Sequence, residues 1–145
     1  MFKFPFSTTV TIHIEASPSE VWDALTNPAI IKQYLMGTDT ITDWKVGSEI
    51  VFQGSYDGHS YRDTGVITKF DVNKTLQYTY WSSMSDIEDL PENKMLITCS
   101  LTEKHGDTEL NVLQENVRSE ETAKHSEHNW AAVLESLKSI VESPQ

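Results

Sequence analysis

The sequence predicts an α+β fold in which a curved, six-stranded antiparallel sheet wraps a long C-terminal helix. Three observations predict this fold. Two short consecutive helices follow a first strand-like run, five more strand-like runs come next, and one long amphipathic helix closes the sequence. A helix with one apolar stripe must bury that stripe, and the concave face of the sheet is the only partner large enough. The arrangement is a helix-grip, with the two short helices filling the open end of the sheet.

The two short helices are marked by their start signals. The Ser17 side chain can accept a hydrogen bond from the third helical N–H, while Glu20 reaches back to the Ser17 N–H. Pro18 stands where its missing N–H donor is harmless. Asn27 and Pro28 repeat the start signal only ten residues later, so a second helix follows the first almost directly.

The strands are predicted from alternation and from runs of β-branched and aromatic residues. The predicted strands are Thr8–Glu15, Glu49–Tyr56, Tyr61–Phe70, Thr75–Ser82, Met95–Glu103 and Glu109–Asn116. Short turns separate the later strands, which indicates antiparallel neighbours. Gly37–Gly47 is predicted as a connection, and Ser83–Lys94 as a longer loop that is either a flap or a solvated connection.

The closing helix is predicted from about Glu120 to Val141 and carries the clearest periodic pattern in the chain. Apolar residues recur on one side of it, and charged residues fall elsewhere. The apolar stripe consists of Ala123, Trp130, Val133, Leu134, Leu137, Ile140 and Val141.

Composition and charge limit the classes of protein. The 145 residues are expected to form one domain over 1–145. Twenty-two acidic against eleven basic side chains give a net charge of −11, which repels nucleic acid and anionic lipid, so no nucleic-acid partner is expected. No apolar run approaches the roughly 20 residues that span a bilayer, and Met1–Phe6 is too short for a signal peptide. A cytoplasmic protein is therefore expected, in agreement with its single cysteine, Cys99.

A pocket is predicted between the sheet and the closing helix. Alternation along the strands and the helix places one set of side chains on its walls, with Leu35 near its mouth: Phe52, Tyr78, Tyr80, Ile97, Trp130 and Leu134. Apolar walls with a few polar groups are typical of small-molecule sites, and Tyr80 or Trp130 offers such a group. The alternative is an ordinary packed core at each of these positions.

Candidate catalytic and metal-binding residues are few. His125 and His128 stand three residues apart on the closing helix with Glu121 one turn earlier, a spacing that suits a metal, but the polar surroundings favour a solvated helix face. Asp63 lies within a strand and is expected on its exposed face; facing inward, it could bind a ligand or act as a base. Cys99 is expected to be an inert buried thiol. No catalytic residue, metal or cofactor is predicted.

Several segments together resemble the homologues of the activator of heat-shock-protein-ninety ATPase, within the SRPBCC or START-like superfamily. The resemblance rests on Ser17–Leu35, Val46–Ile50, Gly65–Asp71, Leu76–Trp81, Gly106–Leu113 and Asn129–Leu137. It implies a shape similar to birch-pollen-allergen-like and steroidogenic-acute-regulatory-related lipid-transfer domains, which hold apolar ligands between sheet and helix. Tyr34 stands in place of a usual tryptophan and Asn129 in place of a common glycine, so ligand size is not implied.

Three functions follow as hypotheses. The first is non-enzymatic binding of a small lipophilic molecule in the cavity between sheet and C-terminal helix. The alternative is a protein-interaction module whose acidic surface binds a partner such as a chaperone, as the resemblance implies. A third is a polyketide-cyclase-like enzyme, which requires a charged or tautomerisable side chain inside the cavity. The oligomeric state is left open, because an edge strand, Thr8–Glu15 or Glu109–Asn116, could pair with its copy.

Overall fold

The computed structural model describes residues 2–143, which form seven β-strands and three α-helices in the predicted α+β order. The elements are β1 (Phe6–Ile14), α1 (Pro18–Thr26), α2 (Pro28–Tyr34), β2 (Asp39–Ile41), β3 (Glu49–Tyr56), β4 (His59–Asp71), β5 (Thr75–Tyr80), β6 (Met95–Lys104), β7 (Asp107–Val117) and α3 (Glu120–Glu142). A single 3₁₀ turn, Pro91–Asn93, interrupts the loop before β6 in this part of the chain.

The strands of the described residues form one antiparallel sheet in the order β1-β7-β6-β5-β4-β3-β2. Consecutive strands are neighbours from β2 to β7, and β1 joins the far edge beside β7. The prediction of six strands misses β2, whose residue Thr40 pairs with Phe52 of β3. Three residues are too short to show a period-two pattern, so this strand is defined by its pairing rather than by its own sequence.

The start signals of α1 and α2 form as predicted. The Glu20 N–H donates to Ser17 Oγ at 3.3 Å, and the Ser17 N–H donates to the Glu20 carboxylate at 3.4 Å. Asn27 ends α1 and begins α2, because its side-chain oxygen accepts the Ala29 N–H at 3.0 Å. One polar residue therefore both ends the first helix and caps the second.

Helix α3 packs on the sheet along the predicted apolar stripe. Ser119 caps it by accepting the Thr122 N–H at 3.0 Å. Leu134 and Leu137 are buried to about 1% exposure, and the C-terminal half of the helix closes over the core formed with α1 and the sheet. Trp130, about one turn before Leu134, and Val133, which directly precedes Leu134, are only partly buried. The N-terminal half of α3 therefore leaves space above the sheet.

Candidate functional site

A cavity of about 700 Å³ lies between the sheet and the N-terminal half of α3, and it opens to solvent. Phe52, Tyr78 and Ile97 form its wall on the sheet side, and Trp130 and Val133 form the wall on α3. These five side chains come from four different elements, whose inward-facing positions the pleat and the helical period bring together.

The predicted pocket residues separate into two groups. Leu35, Phe52, Tyr78, Tyr80, Ile97 and Trp130 lie around the 700 Å³ cavity. Leu134 does not; it lies against a second, smaller cavity of about 40 Å³, next to Leu137. Ligand binding by any of these residues stays a prediction, but the structure places six of the seven around one open volume.

Aromatic rings form one continuous part of the wall. The Phe52 ring lies 5.7 Å from Tyr78 and 6.0 Å from Tyr80 between centroids, at angles of 45° and 62°. Such tilted and edge-on contacts are the favoured geometry for aromatic pairs. Burial raises the pKa of the Tyr78 hydroxyl well above its ordinary value, so this phenol stays neutral.

The prediction that Asp63 lies on an exposed strand face is wrong: the residue is only 8% exposed and lies in the cavity wall. In the β3–β4 register Asp63 pairs with Phe52, so both side chains project from the same face of the sheet. The register between strands, which one strand's composition does not reveal, decides the direction of this carboxylate.

Asp63 is held by three hydrogen bonds. The Tyr80 hydroxyl donates to Asp63 Oδ2 at 2.5 Å, and the Ser83 N–H and Oγ–H donate to Oδ1 at 2.8 and 3.0 Å. Burial, followed by the charge of Asp63, raises the pKa of the Tyr80 hydroxyl, which therefore keeps its proton. The Tyr80 hydroxyl, which is predicted as a polar group of the pocket, is therefore held in a hydrogen-bond network with Asp63 and Ser83.

The indole N–H of Trp130 also has a hydrogen-bond partner within the protein. It donates to Gln114 Oε1 at 2.7 Å, and Gln114 is 4% exposed. Gln114 and its neighbour on the same face, Asn116, are buried polar residues that were not predicted from the sequence. The signal was present, because they continue the inward alternation of Leu110 and Val112 along β7.

The loop from Ser82 to Lys94 forms another wall of the cavity and is fastened at several points. The Trp81 indole N–H donates to the Ile87 carbonyl at 2.8 Å, and Arg118, just after β7, forms an ion pair with Asp86. These contacts hold the predicted loop against the sheet rather than leaving it free in solvent.

Asn116 joins three segments that are distant in sequence. Its side-chain N–H groups donate to the Glu92 and Lys94 carbonyls at 3.0 and 2.7 Å, and its oxygen accepts the Phe4 N–H at 2.7 Å. Its backbone has φ +62°, a conformation that asparagine tolerates better than most residues. One buried amide thereby ties the N-terminal segment and the loop to β7.

Three large apolar side chains are exposed where the cavity meets solvent. Met36 follows α2, Tyr56 ends β3, and Met84 belongs to the loop after β5; they are 83%, 61% and 57% exposed. The rim of the cavity therefore carries apolar side chains beside exposed polar ones such as Arg118 and His125.

The remaining reactive side chains of the described residues are the buried Cys99 and the exposed histidines. Burial raises the pKa of the Cys99 thiol to about 12, and the residue is 3% exposed. His125 and His128 are exposed on α3, and His13 lies 3.1 Å from the Asp107 carboxylate. Within residues 2–143, no group of three or more His, Cys, Asp or Glu side chains is placed to hold a metal ion.

The fold and the site together define a class: an α+β helix-grip protein with an apolar cavity between the sheet and the C-terminal helix. No helix in the described part of the chain is long and apolar enough to cross a membrane.

Residues 15–142 match the family model described as "Activator of Hsp90 ATPase homolog 1-like protein", and the chain belongs to this family. None of the curated proteins matches the chain.

Solved structures share the fold. The solution structure of ChR145 from Cytophaga hutchinsonii is 40% identical, with 97% of each chain covered and a TM-score of 0.84. The Aha1 dimer from Colwellia psychrerythraea is 24% identical, with 94% of this chain and 96% of that chain covered and a TM-score of 0.75. CalU16 from Micromonospora echinospora is 18% identical, covering 96% of this chain and 76% of that chain, with a TM-score of 0.75.

Proposed function

We propose that the protein binds a small lipophilic molecule, without turnover, in the cavity between the sheet and α3. The observation that carries the proposal is the open volume of about 700 Å³ lined by aromatic and aliphatic side chains. Small-molecule sites typically enclose roughly 300–1,000 Å³ with mostly apolar walls and a few polar groups. A filled core, which is the alternative, would leave only voids close to the size of a water molecule.

The driving force for binding is the removal of apolar surface from water, about 25 cal/mol for each Å² buried. Phe52, Tyr78 and Trp130 supply large, rigid surfaces that lose little conformational freedom when they contact a ligand. Internal hydrogen bonds already hold the polar atoms of Tyr80 and Trp130, so these side chains keep one orientation in the wall.

The test is titration with the uncharged fluorescent probe N-phenyl-1-naphthylamine, together with native mass spectrometry of protein purified from its own host. Val133→Phe should fill part of the cavity, because Val133 lies in its wall. We expect it to weaken probe affinity by at least about tenfold. Ala131→Phe is the matched control, because Ala131 is exposed on the same helix.

The outcomes separate clearly when the thermal midpoints of the variants show that they fold. Loss of probe binding in Val133→Phe alone supports the proposal, as does a small molecule retained through native mass spectrometry. No probe binding by the wild-type protein, or equal affinity in Val133→Phe and the wild type, contradicts it.

A second candidate function is activation of a chaperone ATPase. The family match favours it, and the net charge of −11 suits a basic partner surface. The measurement is the ATPase rate of the host's Hsp90-type chaperone with and without this protein. Stimulation that survives in Val133→Phe supports an interaction role independent of the cavity, whereas an unchanged ATPase rate contradicts this candidate.

A further inference from the structure

The charged groups at the cavity differ sharply in their environment. Asp63 is buried in the wall, and within residues 2–143 no lysine or arginine forms an ion pair with it. Arg118, the cation among the lining residues, is exposed and already pairs with Asp86. His125 lies exposed at the other side, on α3. The buried charge of the cavity is therefore negative, and the protein leaves it without a cation.

The hydrogen-bonding capacity of the Asp63 network points in the same direction. A carboxylate offers about four lone-pair sites, and the three bonds from Tyr80 and Ser83 leave one of them available. Tyr80 gives its single hydroxyl proton to Asp63, so the phenol oxygen can only accept a further bond. Asp63 and Tyr80 consequently present acceptors to a molecule in the cavity, and neither presents a donor.

We infer that this cavity selects lipophilic molecules that carry a hydrogen-bond donor, above all a protonated amine, and disfavours lipophilic carboxylates. The inference rests on the proposed function and adds the chemical class of the ligand. An amine cation would supply the missing counter-charge of Asp63 and donate to its free lone pair. A carboxylate at this point of the wall would bring a second negative charge beside a buried one, and neither Asp63 nor Tyr80 would offer it a donor.

The experiment compares three probes that share one ring system: 1-naphthylmethylamine, 1-naphthylmethanol and 1-naphthoate. Isothermal titration should give affinities that fall from the amine to the alcohol to the carboxylate, with at least about tenfold between the first and the last. Asp63→Asn keeps the size of the side chain and removes its charge, so it should abolish the advantage of the amine. N-phenyl-1-naphthylamine is uncharged and only a weak hydrogen-bond donor, so it should lose much less affinity in Asp63→Asn than the amine loses.

The control variant is Asp57→Asn. It removes the same charge from the same hairpin, but Asp57 lies in the exposed β3–β4 turn with φ +50°, a conformation that asparagine also adopts. Its probe order should match that of the wild type. Tyr80→Phe keeps the ring and the Asp63 charge and frees a second lone pair on Asp63, so it should keep the preference for the amine. If Asp63→Asn does not fold, loss of the amine preference in Tyr80→Phe would contradict the inference.

Three results would overturn the inference. They are a wild-type preference for 1-naphthoate, equal affinity for the amine in Asp63→Asn and the wild type, or loss of the amine preference in Asp57→Asn. If N-phenyl-1-naphthylamine binds in these cases, ligand binding in the cavity stands and only the donor selectivity fails. If none of the four probes binds the wild-type protein, both proposals fail together.

Discussion

Gly65→Ala should destabilise the protein severely, because Gly65 lies where β4 presses against the backbone of β5. A Cβ atom at Gly65 would overlap the Thr79 carbonyl oxygen and lie 2.6 Å from its carbon, whereas carbon atoms normally approach to about 3.5–4.0 Å. The obstacle is main chain, so no side-chain rotation can relieve it. The strands would have to separate by roughly 1 Å or more.

The cost follows from the hydrogen bonds around this point. Thr64 and Trp81 exchange backbone bonds of 3.1 and 2.8 Å, and the Val66 N–H donates to Thr79 Oγ1 at 2.9 Å. Losing three bonds at about 0.5–1.5 kcal/mol each removes roughly 1.5–4.5 kcal/mol. That loss is a large share of the 5–15 kcal/mol that typically stabilises a domain.

The assay is urea unfolding followed by far-UV circular dichroism, with Gly54→Ala as the matched control. At Gly54 in β3 the added Cβ would meet the Tyr61 hydroxyl at 2.7 Å, and the end of a side chain can move aside. We expect Gly54→Ala to cost less than about 1 kcal/mol. Equal free energies of unfolding for the two variants would refute the reasoning from the β4–β5 contact.

Three further predictions concern single side chains. Leu134→Ala should lower the free energy of unfolding by about 2–5 kcal/mol, yet leave N-phenyl-1-naphthylamine affinity within twofold, because Leu134 borders only the smaller cavity. The Cys99 thiol, whose pKa burial raises to about 12, should react with Ellman's reagent only after unfolding; rapid labelling of the folded protein at pH 8 would contradict its burial. The hydrogen bond from Lys138 lowers the pKa of Glu142, so this contribution to stability is complete above the ordinary carboxyl pKa and is lost as pH falls through the lowered value. Glu142→Gln should therefore reduce, by roughly 0.2–1 kcal/mol, the amount by which the free energy of unfolding falls as the pH is lowered. An equal fall in the variant and the wild type would contradict this prediction.

The elements that the sequence predicts well are those with local causes. The capping box of Ser17 and Glu20 is a contact between residues three apart, and it forms as expected. The stripe of α3 is visible because a helix repeats its exposure every 3.6 residues over 23 residues. Strand β2, with three residues, has no pattern of its own and depends on its partner β3.

The site is predicted less completely, for two physical reasons. Alternation predicts which side chains face inward, and six of the seven predicted residues line one cavity. Alternation does not predict whether those side chains fill the space between them. The direction of Asp63 depends on register with Phe52 across two strands. A charged residue in a strand is predicted to be exposed, because the sequence does not show that Tyr80 and Ser83 donate hydrogen bonds to it.

The amide of Asn116 has a consequence for the speed of exchange between the cavity and solvent. Widening the opening by moving the loop would break the bonds to Glu92 and Lys94, and breaking them would leave the buried side-chain N–H groups of Asn116 without acceptors. The route past this loop is therefore gated by a local unfolding step, whereas the side of the cavity that the exposed Met36 and Tyr56 line lies outside this loop. A bound molecule should come and go by that second side, and its residence time should respond to bulk added there.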